Sequence, residues 1–294
     1  MIVKQTQTLR VSQVGLSQAR PTTKERLRSV PWWLIAIILV AFLVVVLITT
    51  NPDYHSAFSF IKAGVLVTLS TTLFAFLIAI VLGLITGLGR ISENIIFKNL
   101  ATFYVEVIRG IPMMVLIFFI ALVGVPAIVD GFKVLGSSLS TLGLPGVGAF
   151  FAGAKISSVP MNIRAIIALS ITYGAFLAEV FRAGIQSIDQ GQMEAARSQG
   201  MTRWQAMRYI ILPQAIRNIL PALGNDFISM LKDTSLVSIL AVRDITQIAR
   251  IYAGNTFQYQ TTYITLATMY LTMTFLLSFL VKFLERRYQT NDRH

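Results

Sequence analysis

Long runs of apolar residues, separated by short polar and charged segments, dominate the chain from residue 31 onward. A helix needs about 20 apolar residues to cross the hydrocarbon core of a bilayer, and about six runs approach that length. Their approximate bounds are 31–49, 62–90, 109–126, 163–183, 216–242 and 261–281. The pattern predicts an all-α membrane protein built as a bundle of about six transmembrane helices.

The composition supports the bilayer as the solvent of the chain. Hydrophobic residues make up 55% of it and charged residues 13%, and its mean hydropathy is +0.69. The net charge of +12 does not indicate nucleic acid, because the basic residues alternate with long uncharged runs and form no single stripe. The absence of cysteine excludes thiolate metal sites, and His55 and His294 are too far apart to suggest a metal site.

The two ends of the chain differ from its apolar middle. Residues 1–30 are polar, basic and rich in Ser, Thr and Gln, which predicts a flexible cytoplasmic tail, and 285–294 predicts a second cytoplasmic tail. The apolar run at 31–50 begins too late for a secretory signal, and no small-residue cleavage site follows it. We therefore expect a retained, extra N-terminal transmembrane helix with Trp32 and Trp33 at the membrane interface.

The distribution of Lys and Arg predicts the orientation, since positive residues in short loops favour the cytoplasm. With the N-terminus inside, 17 of the 25 basic residues fall in cytoplasmic segments and six fall outside. The inverted topology would reverse this ratio. Both termini are therefore expected in the cytoplasm.

The segment 131–160 lies outside in this topology, and its Gly and Ser content predicts an extracytoplasmic loop. From Gly148 to Lys155 it resembles a phosphate-binding loop at first sight. Such a loop needs Lys directly after the second Gly, whereas Ala154 separates Gly153 from Lys155 here. We therefore expect no nucleotide site in this segment and no catalytic residues for ATP hydrolysis on this chain.

The cytoplasmic segment between the fourth and fifth apolar runs predicts two short helices that form an elbow. Asp189 is positioned to cap the first helix, with Gln192 reaching back, and Gly200 can end it in a left-handed conformation. Thr202 and Gln205 have the spacing of a second capping box.

The elbow leads to Pro213, which is expected to stop or bend the second helix, and its residues alone allow two interpretations. Ala195 and Ala196 permit close contact with a partner, while Glu194 and Arg197 can pair at the rim of the contact. Alternatively, the elbow is an amphipathic connector on the lipid surface.

The same segment resembles the cytoplasmic EAA loop of ABC-importer permeases. The pattern is Glu194-Ala195-Ala196, three residues, Gly200, nine residues, Ile210, one residue and Leu212-Pro213, and every defining position matches. In that family the loop forms a coupling helix that docks into a cleft on a separate ATPase subunit. The resemblance implies that Glu194, Ala195, Ala196, Arg197 and Gly200 form the docking surface here.

Four flanking segments narrow the resemblance to the polar amino acid branch of these permeases, the glutamine, histidine and arginine type. They are 104–112, 178–186, 212–217 and 231–236. The resemblance implies a permease transmembrane domain over 63–284, with 131–160 as an extracytoplasmic insertion. It leaves the roles of this insertion and of the extra helix open.

The resemblance also implies an assembly. The chain would span a bacterial-type plasma (inner) membrane beside a second permease subunit, either identical or homologous, and would sit on a dimer of ABC ATPase subunits. ATP and Mg would bind to those subunits, with no cofactor on this chain. An extracytoplasmic substrate-binding protein would deliver a polar amino acid.

Two pairs of an acid and a base lie near the cytoplasmic ends of their spans at i, i+3 spacing, Glu106 with Arg109 and Glu179 with Arg182. A charge inside a span costs about 2.5–3.5 kcal/mol on insertion scales, so each such residue is a functional hypothesis. One interpretation is that the pairs seat the helices at the interface. The other makes Glu106, Arg109 and Glu179 candidates for the inner half of the substrate path.

Polar residues interrupt the fifth apolar run, although irregular backbone at membrane depth is tolerated only where protein buries it or water fills a cavity. The interruptions are Pro221, Gly224, Asn225, Asp226, Lys232, Asp233, Thr234 and Ser235. We expect this segment to line the substrate path, with Thr234 and Ser235 as hydroxyl partners for a zwitterionic solute. Alternatively, Lys232 and Asp233 pair only to permit insertion.

A rival hypothesis is a secondary amino acid transporter driven by an ion gradient. It requires an internal inverted repeat and an ion-binding acid near the membrane midplane, for which Asp233 is the support. A scaffold without transport would have uninterrupted spans, which the fifth run contradicts.

Overall fold

The computed structural model describes residues 32–289, with side chains from 35 to 285. Within this range all regular elements are helical, which confirms the predicted all-α class. The predicted tail 1–30, the Trp32 and Trp33 side chains and the end of the second tail, 290–294, lie outside these described residues.

The first helix belongs for the most part to a separate compact unit that ends at Leu43. This helix, α1 (Trp32–Thr50), contains no charged residue and is apolar on every side. Its 19 residues make a helix about 28 Å long, close to the thickness of a hydrocarbon core. The segment predicted at 31–50 is therefore helical, and its crossing of the membrane stays a prediction.

The second unit begins at Val44 and contains the remaining helices. In chain order they are α2 (Pro52–Ile61), α3 (Val65–Arg90), α4 (Ile95–Gly110), α5 (Met113–Phe119), α6 (Val125–Thr141), α7 (Pro145–Ala152), α8 (Met161–Gln186), α9 (Gln190–Ser198), α10 (Arg203–Ala206), α11 (Leu212–Asp233), α12 (Ile245–Thr256) and α13 (Tyr259–Gln289). The 3₁₀ segments are Lys62–Gly64, Ile156–Ser158 and Thr234–Leu240, and the π-helical turns are Ile120–Gly124 and Met207–Ile211.

Four stretches of the described chain are long and apolar enough to cross a membrane. They are Pro52–Arg90, Met113–Thr141, Met161–Gln186 and Tyr259–Glu285. Helix α11 is as long as a span, but the polar residues that the sequence analysis singled out keep it outside this set. Its exposed face therefore needs an environment other than lipid.

The contact between α3 and α8 forms the centre of the second unit. A Cβ on Gly83 would lie 2.6 Å from Leu177 Cβ, and a Cβ on Gly87 would lie 2.9 Å from the Ala178 carbonyl oxygen. The Ser170 hydroxyl donates to the Ala75 carbonyl oxygen at 3.1 Å. Small residues thus let the two backbones approach closely, as is typical of membrane helix pairs.

A second cluster of buried residues closes the end of α3 that is opposite Arg90. It joins α2, α12 and the start of α13 through Ala57, Ile61, Ile245, Ala249 and Leu266. The carboxylate of Asp244 caps α12 by accepting from the Gln247 amide at 2.8 Å, and the Thr68 hydroxyl accepts from the Ile245 amide at 3.2 Å.

Pro126, near which the third apolar run was expected to end, and Pro213, where a helix was expected to stop or bend, do not end their helices. The helix predicted to stop near Pro126 continues to Thr141, and the helix expected to stop or bend at Pro213 continues to Asp233. A π-helical turn precedes each proline, so that the last amide before it bonds five residues back, Val125 to Ile120 and Leu212 to Met207. The backbone hydrogen bonds thus shift from four to five residues back just before each proline, which has no amide hydrogen to donate. The helix therefore continues past the proline.

The prediction that 131–160 forms a loop was wrong, because most of this segment is helical. The end of α6 and the whole of α7 form a helical hairpin there, with Gly143 at a φ of +87° in the turn between them. Gly and Ser suggested irregular backbone, but Gly136 and Gly148 instead allow the two helices to touch. A Cβ on Gly148 would lie 2.6 Å from the Gly136 carbonyl oxygen.

The α3–α8 contact makes a testable prediction. Gly83→Ala should lower the free energy of unfolding in detergent by about 1–3 kcal/mol, because the added methyl group overpacks the contact with Leu177. The matched control is Gly131→Ala in α6, where a Cβ would meet no atom within 4 Å and alanine favours the helix. Equal unfolding curves for the two variants would contradict the close approach.

Candidate functional site

Helix α9 forms the first arm of the elbow, and its ends match the prediction in two of three details. Asp189 Oδ1 accepts from the Gly191 amide at 2.7 Å, so the predicted cap is present. Gly200 has a φ of +84° and its amide donates to the Arg197 carbonyl at 3.0 Å, which ends the helix as predicted. The Gln192 side chain does not reach back to the cap and is exposed instead.

The second arm begins at α10 with the predicted capping box. The Thr202 amide donates to Gln205 Oε1 at 2.8 Å, and the Gln205 amide donates to Thr202 Oγ1 at 3.2 Å. Arg203 pairs with Glu93 in the turn between α3 and α4, so the second arm is tied to that turn. The helices of both arms are therefore capped by residues that lie within a few positions of the groups they bond.

The exposed surface of the elbow consists of Glu194, Ala195, Arg197 and Gly200. Ala196 is 7% exposed and faces inward, so the small residues do not share one free face as the sequence analysis assumed. No ion pair joins Glu194 to Arg197, although the spacing permits one. Both side chains are thus available at the surface, with Ala195 between them.

A charged cluster lies behind the elbow, where α3, α4 and α8 converge. Arg90, at the end of α3, donates to Glu179 on α8 at 2.8 Å and lies 3.4 Å from Glu106 on α4. Glu179 also accepts from Arg182, at 3.0 Å from Nε. Arg90 therefore joins two acids from two neighbouring helices, and its side chain is only 14% exposed.

The predicted pair between Glu106 and Arg109 was wrong, whereas the predicted pair between Glu179 and Arg182 is present. Glu106 contacts Arg90 instead, because α4 packs against α3 and Arg90 is close enough to reach it. The Arg109 guanidinium lies 5.8 Å from the centre of the Phe176 ring, a cation–π contact. Sequence spacing on one helix could not reveal these partners from other helices.

Helix α11 carries two different polar stripes at seven-residue spacing. Asn218, Asn225 and Lys232 are exposed. Asp226 and Asp233 are half-buried on the adjacent face, where Asp233 accepts from the Tyr173 hydroxyl at 2.6 Å. The first stripe is exposed, with Asn218 also donating to the Ser187 hydroxyl at 3.2 Å, and the second faces α8.

The remaining residues predicted for the fifth span are less accessible. Thr234 is fully buried and its hydroxyl donates to the Leu231 carbonyl at 2.6 Å, while Ser235 is half-buried in the 3₁₀ segment. Lys232 and Asp233 do not form an ion pair, because successive residues of a helix point in different directions. Among the described residues there is therefore no Lys232–Asp233 ion pair of the kind that the alternative interpretation required.

A groove of about 780 Å³ follows the elbow-side half of α11. Its polar lining comes from Ser187, Arg217, Asn218 and Glu285, and its floor includes Gly184 and Pro221. A Cβ on Gly184 would lie 2.1 Å from Ile219 Cγ1, so this glycine brings α8 and α11 together at the base of the groove.

The structure thus combines an elbow with charges at Glu194 and Arg197 that are unpaired among the described residues, a helix with an exposed polar face, and a groove between that helix and α8. The sequence profile of the family described as "binding-protein-dependent transport system inner membrane component" matches residues 79–290. The chain belongs to this family. It is a membrane-spanning permease component of an ABC importer and not itself the catalytic part, which supports the importer hypothesis over the ion-driven rival.

Two curated relatives and one solved structure agree with this assignment. The chain is 36% identical over 231 residues to "Probable amino-acid permease protein YxeN" of Bacillus subtilis, covering 79% of this chain and 92% of that protein. It is 36% identical over 230 residues to "Probable glutamine ABC transporter permease protein GlnM" of the same organism, covering 78% and 94%. A chain from a crystal structure titled as an amino acid ABC transporter with histidines has 37% identity, with a TM-score of 0.61 and coverage of 83% and 97%.

Arg90 was missed by the sequence analysis, although it is the residue that joins the charged cluster. Its position at the end of an apolar run suggested only an interfacial charge. Tyr173 was also missed, because a tyrosine in an apolar run gives no sign that an acid lies 60 residues further along the chain. Both residues act through contacts between helices that are distant in sequence.

The charged cluster makes a prediction that separates its two interpretations. Arg90→Gln should lower the free energy of unfolding in detergent by about 1–3 kcal/mol, because hydrogen bonds to two carboxylates are lost. If the cluster seats the helices, uptake should fall only in proportion to the amount of folded permease. The control is Lys133→Gln, which removes an exposed pair with Asp130 and should change neither quantity.

The opposite result, a loss of uptake without a loss of stability, would place Arg90 in the substrate path. Normal unfolding of Arg90→Gln together with reduced uptake per folded molecule would show that the cluster contacts the solute rather than holding α3, α4 and α8 together.

Proposed function

We propose that this chain carries a polar amino acid across a bacterial-type inner membrane, with both termini in the cytoplasm. A second permease subunit, identical or homologous, covers the free face of α11. A pair of ATPase subunits binds ATP and Mg and contacts the elbow, and a binding protein outside delivers the solute. The exposed polar stripe of α11 carries this proposal.

The stripe needs water or protein beside it. Asn218, Asn225 and Lys232 recur every seven residues, so they lie along one side of a helix that is about as long as the hydrocarbon core is thick. Lipid offers no hydrogen-bond partner to such side chains, so exposing them to the hydrocarbon core would be costly. A second permease subunit that encloses an aqueous path with this face removes that cost.

The chemistry of the fifth span suits a zwitterion. Lys232 can attract a carboxylate, and Asp226 can attract an ammonium group, while Asn225 and Ser235 offer neutral hydrogen bonds. Asp233 is held by Tyr173, so it contributes its charge rather than a free oxygen pair. Thr234 has no free surface and is left out of the proposed path.

The relatives support the class of solute. Their names mention an amino acid and glutamine, and the solved transporter contains histidines. These solutes share the α-ammonium and α-carboxylate groups and differ in their side chains. The proposed path recognises the shared groups, so the identity of the side chain is decided elsewhere in the assembly.

The elbow is the proposed docking surface for the ATPase. Glu194 and Arg197 flank the small side chain of Ala195, and the left-handed Gly200 fixes the end of the helix. Asp189 and Gln190, at the start of the elbow, line one pocket with Arg90, so movement of the docked partner would reach the charged cluster through few intervening residues. Docking there couples ATP hydrolysis on the partner to movement of the spans.

The double variant Glu194→Arg, Gly200→Asp should abolish co-purification of the ATPase subunit and amino acid uptake. It reverses a charge at the surface and replaces the residue that ends α9. The measurement is a detergent pull-down combined with uptake into cells, with the amount of permease in the membrane determined in parallel.

The matched control is Asp130→Arg, Gly131→Asp, which makes the same kinds of change at two exposed positions distant from the elbow. This control should retain both ATPase and uptake. An unchanged ATPase complex in the elbow variant, or uptake without any ATPase, would disprove the proposed docking surface.

The second permease subunit can be trapped by cross-linking, because the chain has no cysteine. A photoreactive benzophenone attached to Asn225→Cys or Lys232→Cys should cross-link to a second permease subunit, whose mass shows whether it is identical or homologous. The same label on Leu73→Cys, an exposed apolar position on α3, should react mainly with lipid. Lipid products alone from positions 225 and 232 would contradict the proposed pairing.

A further inference from the structure

Two buried oxygen atoms at the start of α12 have no hydrogen-bond partner. They are Asp244 Oδ2 and Gln247 Oε1, and every other buried side-chain nitrogen or oxygen of the described residues is bonded. Asp244 is 1% exposed and Gln247 is 8% exposed. Leaving a buried polar atom unpaired is costly, so this pair needs an explanation that the transport function does not provide.

An ionised carboxylate and an amide oxygen can only accept hydrogen bonds. Asp244 is the N-cap of α12 and Gln247 is its third residue, an arrangement in which the third side chain often reaches back to the amide of the cap. That amide already donates to the Val242 carbonyl at 2.8 Å. Because the two side chains lie within one helical turn, a single hydrogen atom between their free oxygens would satisfy both.

The elements around Asp244 supply no charge that would compensate an ionised carboxylate. No ion pair in the described part of the chain involves it. Tyr270 on α13 is the titratable group beside it. The nearest charged or titratable residues on α2, on the segment before α3 and on α12 have exposed side chains, and they are Asp53, His55, Lys62, Arg243 and Arg250.

Burial favours the neutral form of the Asp244 carboxyl. This residue follows the fifth apolar run, which ends at residue 242, and α12 is not one of the membrane-spanning stretches. The hydroxyls of Thr246 and Tyr270 bond to each other at 2.8 Å. Burial raises the pKa of Asp244 to about 6, although the Gln247 amide and these hydroxyls offset part of the effect.

We propose that the start of α12 is a proton-binding site, in which Asp244 holds the proton on Oδ2 and donates it to Gln247 Oε1. Oδ1 still accepts from the Gln247 amide in this form, so the helix keeps its cap while both unpaired oxygens gain a partner. The site lies in a tight junction, because a Cβ on Gly64 would be 2.6 Å from the Asp244 carbonyl carbon.

Release of the proton leaves an uncompensated charge where α2, α3, α12 and α13 meet. Proton binding therefore stabilises the end of the permease that is remote from the elbow. The unfolded chain releases this proton near the ordinary pKa of about 4, whereas the folded chain retains it to about 6. Stability falls as the pH rises through this interval, since the folded state binds more protons there.

Asp244→Asn tests the proposal directly, because its amide nitrogen can donate to Gln247 Oε1 at any pH while its oxygen keeps the cap. The unfolding equilibrium constant in detergent, measured for the unchanged chain relative to Asp244→Asn, should rise about tenfold between about pH 5 and about pH 7.5. Relative to Asp130→Asn, which alters an exposed carboxylate on α6, it should stay constant.

Two further measurements report the proton itself. Gln247→Met keeps the length of the side chain but removes the acceptor, so the midpoint of the rise should move to lower pH. Infrared difference spectra over the same pH interval should show the loss of a carboxylic acid carbonyl band that Asp244→Asn lacks.

The same pH dependence in Asp244→Asn and in the unchanged chain would overturn the proposal. A lower stability of Asp244→Asn at about pH 7.5 would also overturn it. That result would mean that the Gln247 amide group is turned round and donates from Nε2 to an ionised Asp244.

Discussion

The close approach of α3 and α8 is the contact on which the rest of the permease depends. Gly83 and Gly87 bring the two backbones together, and the ends of both helices are thereby set side by side. Arg90 can then reach Glu179, and Glu179 in turn holds Arg182 just before the elbow begins. At the other end, the start of α3 meets the cap of α12 through Thr68. In a bilayer, where apolar side chains gain little by leaving lipid, such close backbone packing is a main source of helix association.

Local signals in the sequence were sufficient for features that depend on a few neighbouring residues. The Asp189 cap, the left-handed Gly200 and the box of Thr202 and Gln205 are all within one helical turn of the groups they bond. The apolar runs similarly predicted membrane helices, because the bilayer requires length and hydrophobicity and little else. The elbow could therefore be predicted in detail before its surroundings were known.

Features that depend on distant residues could not be predicted in this way. Glu106 has Arg109 at the correct spacing, yet it contacts Arg90 because α4 packs against α3. Thr234 carries a suitable hydroxyl, but packing buries it and the Leu231 carbonyl takes its hydrogen bond. Pro126 and Pro213 showed the limit of a local rule, since a π-helical turn ahead of each proline preserves the helix. The substrate path remains a prediction for the same reason, because its surroundings depend on the proposed second subunit.

The π-helical turn before Pro213 has a mechanical consequence. Because the chain stays helical from Arg203 to Asp233, no loop separates the second arm of the elbow from the polar stripe. A loop at Pro213 would absorb a push from below, whereas a continuous helix transmits it. The one additional backbone residue in the π-helical turn is therefore what keeps the elbow and Lys232 connected by helical backbone rather than by a flexible loop.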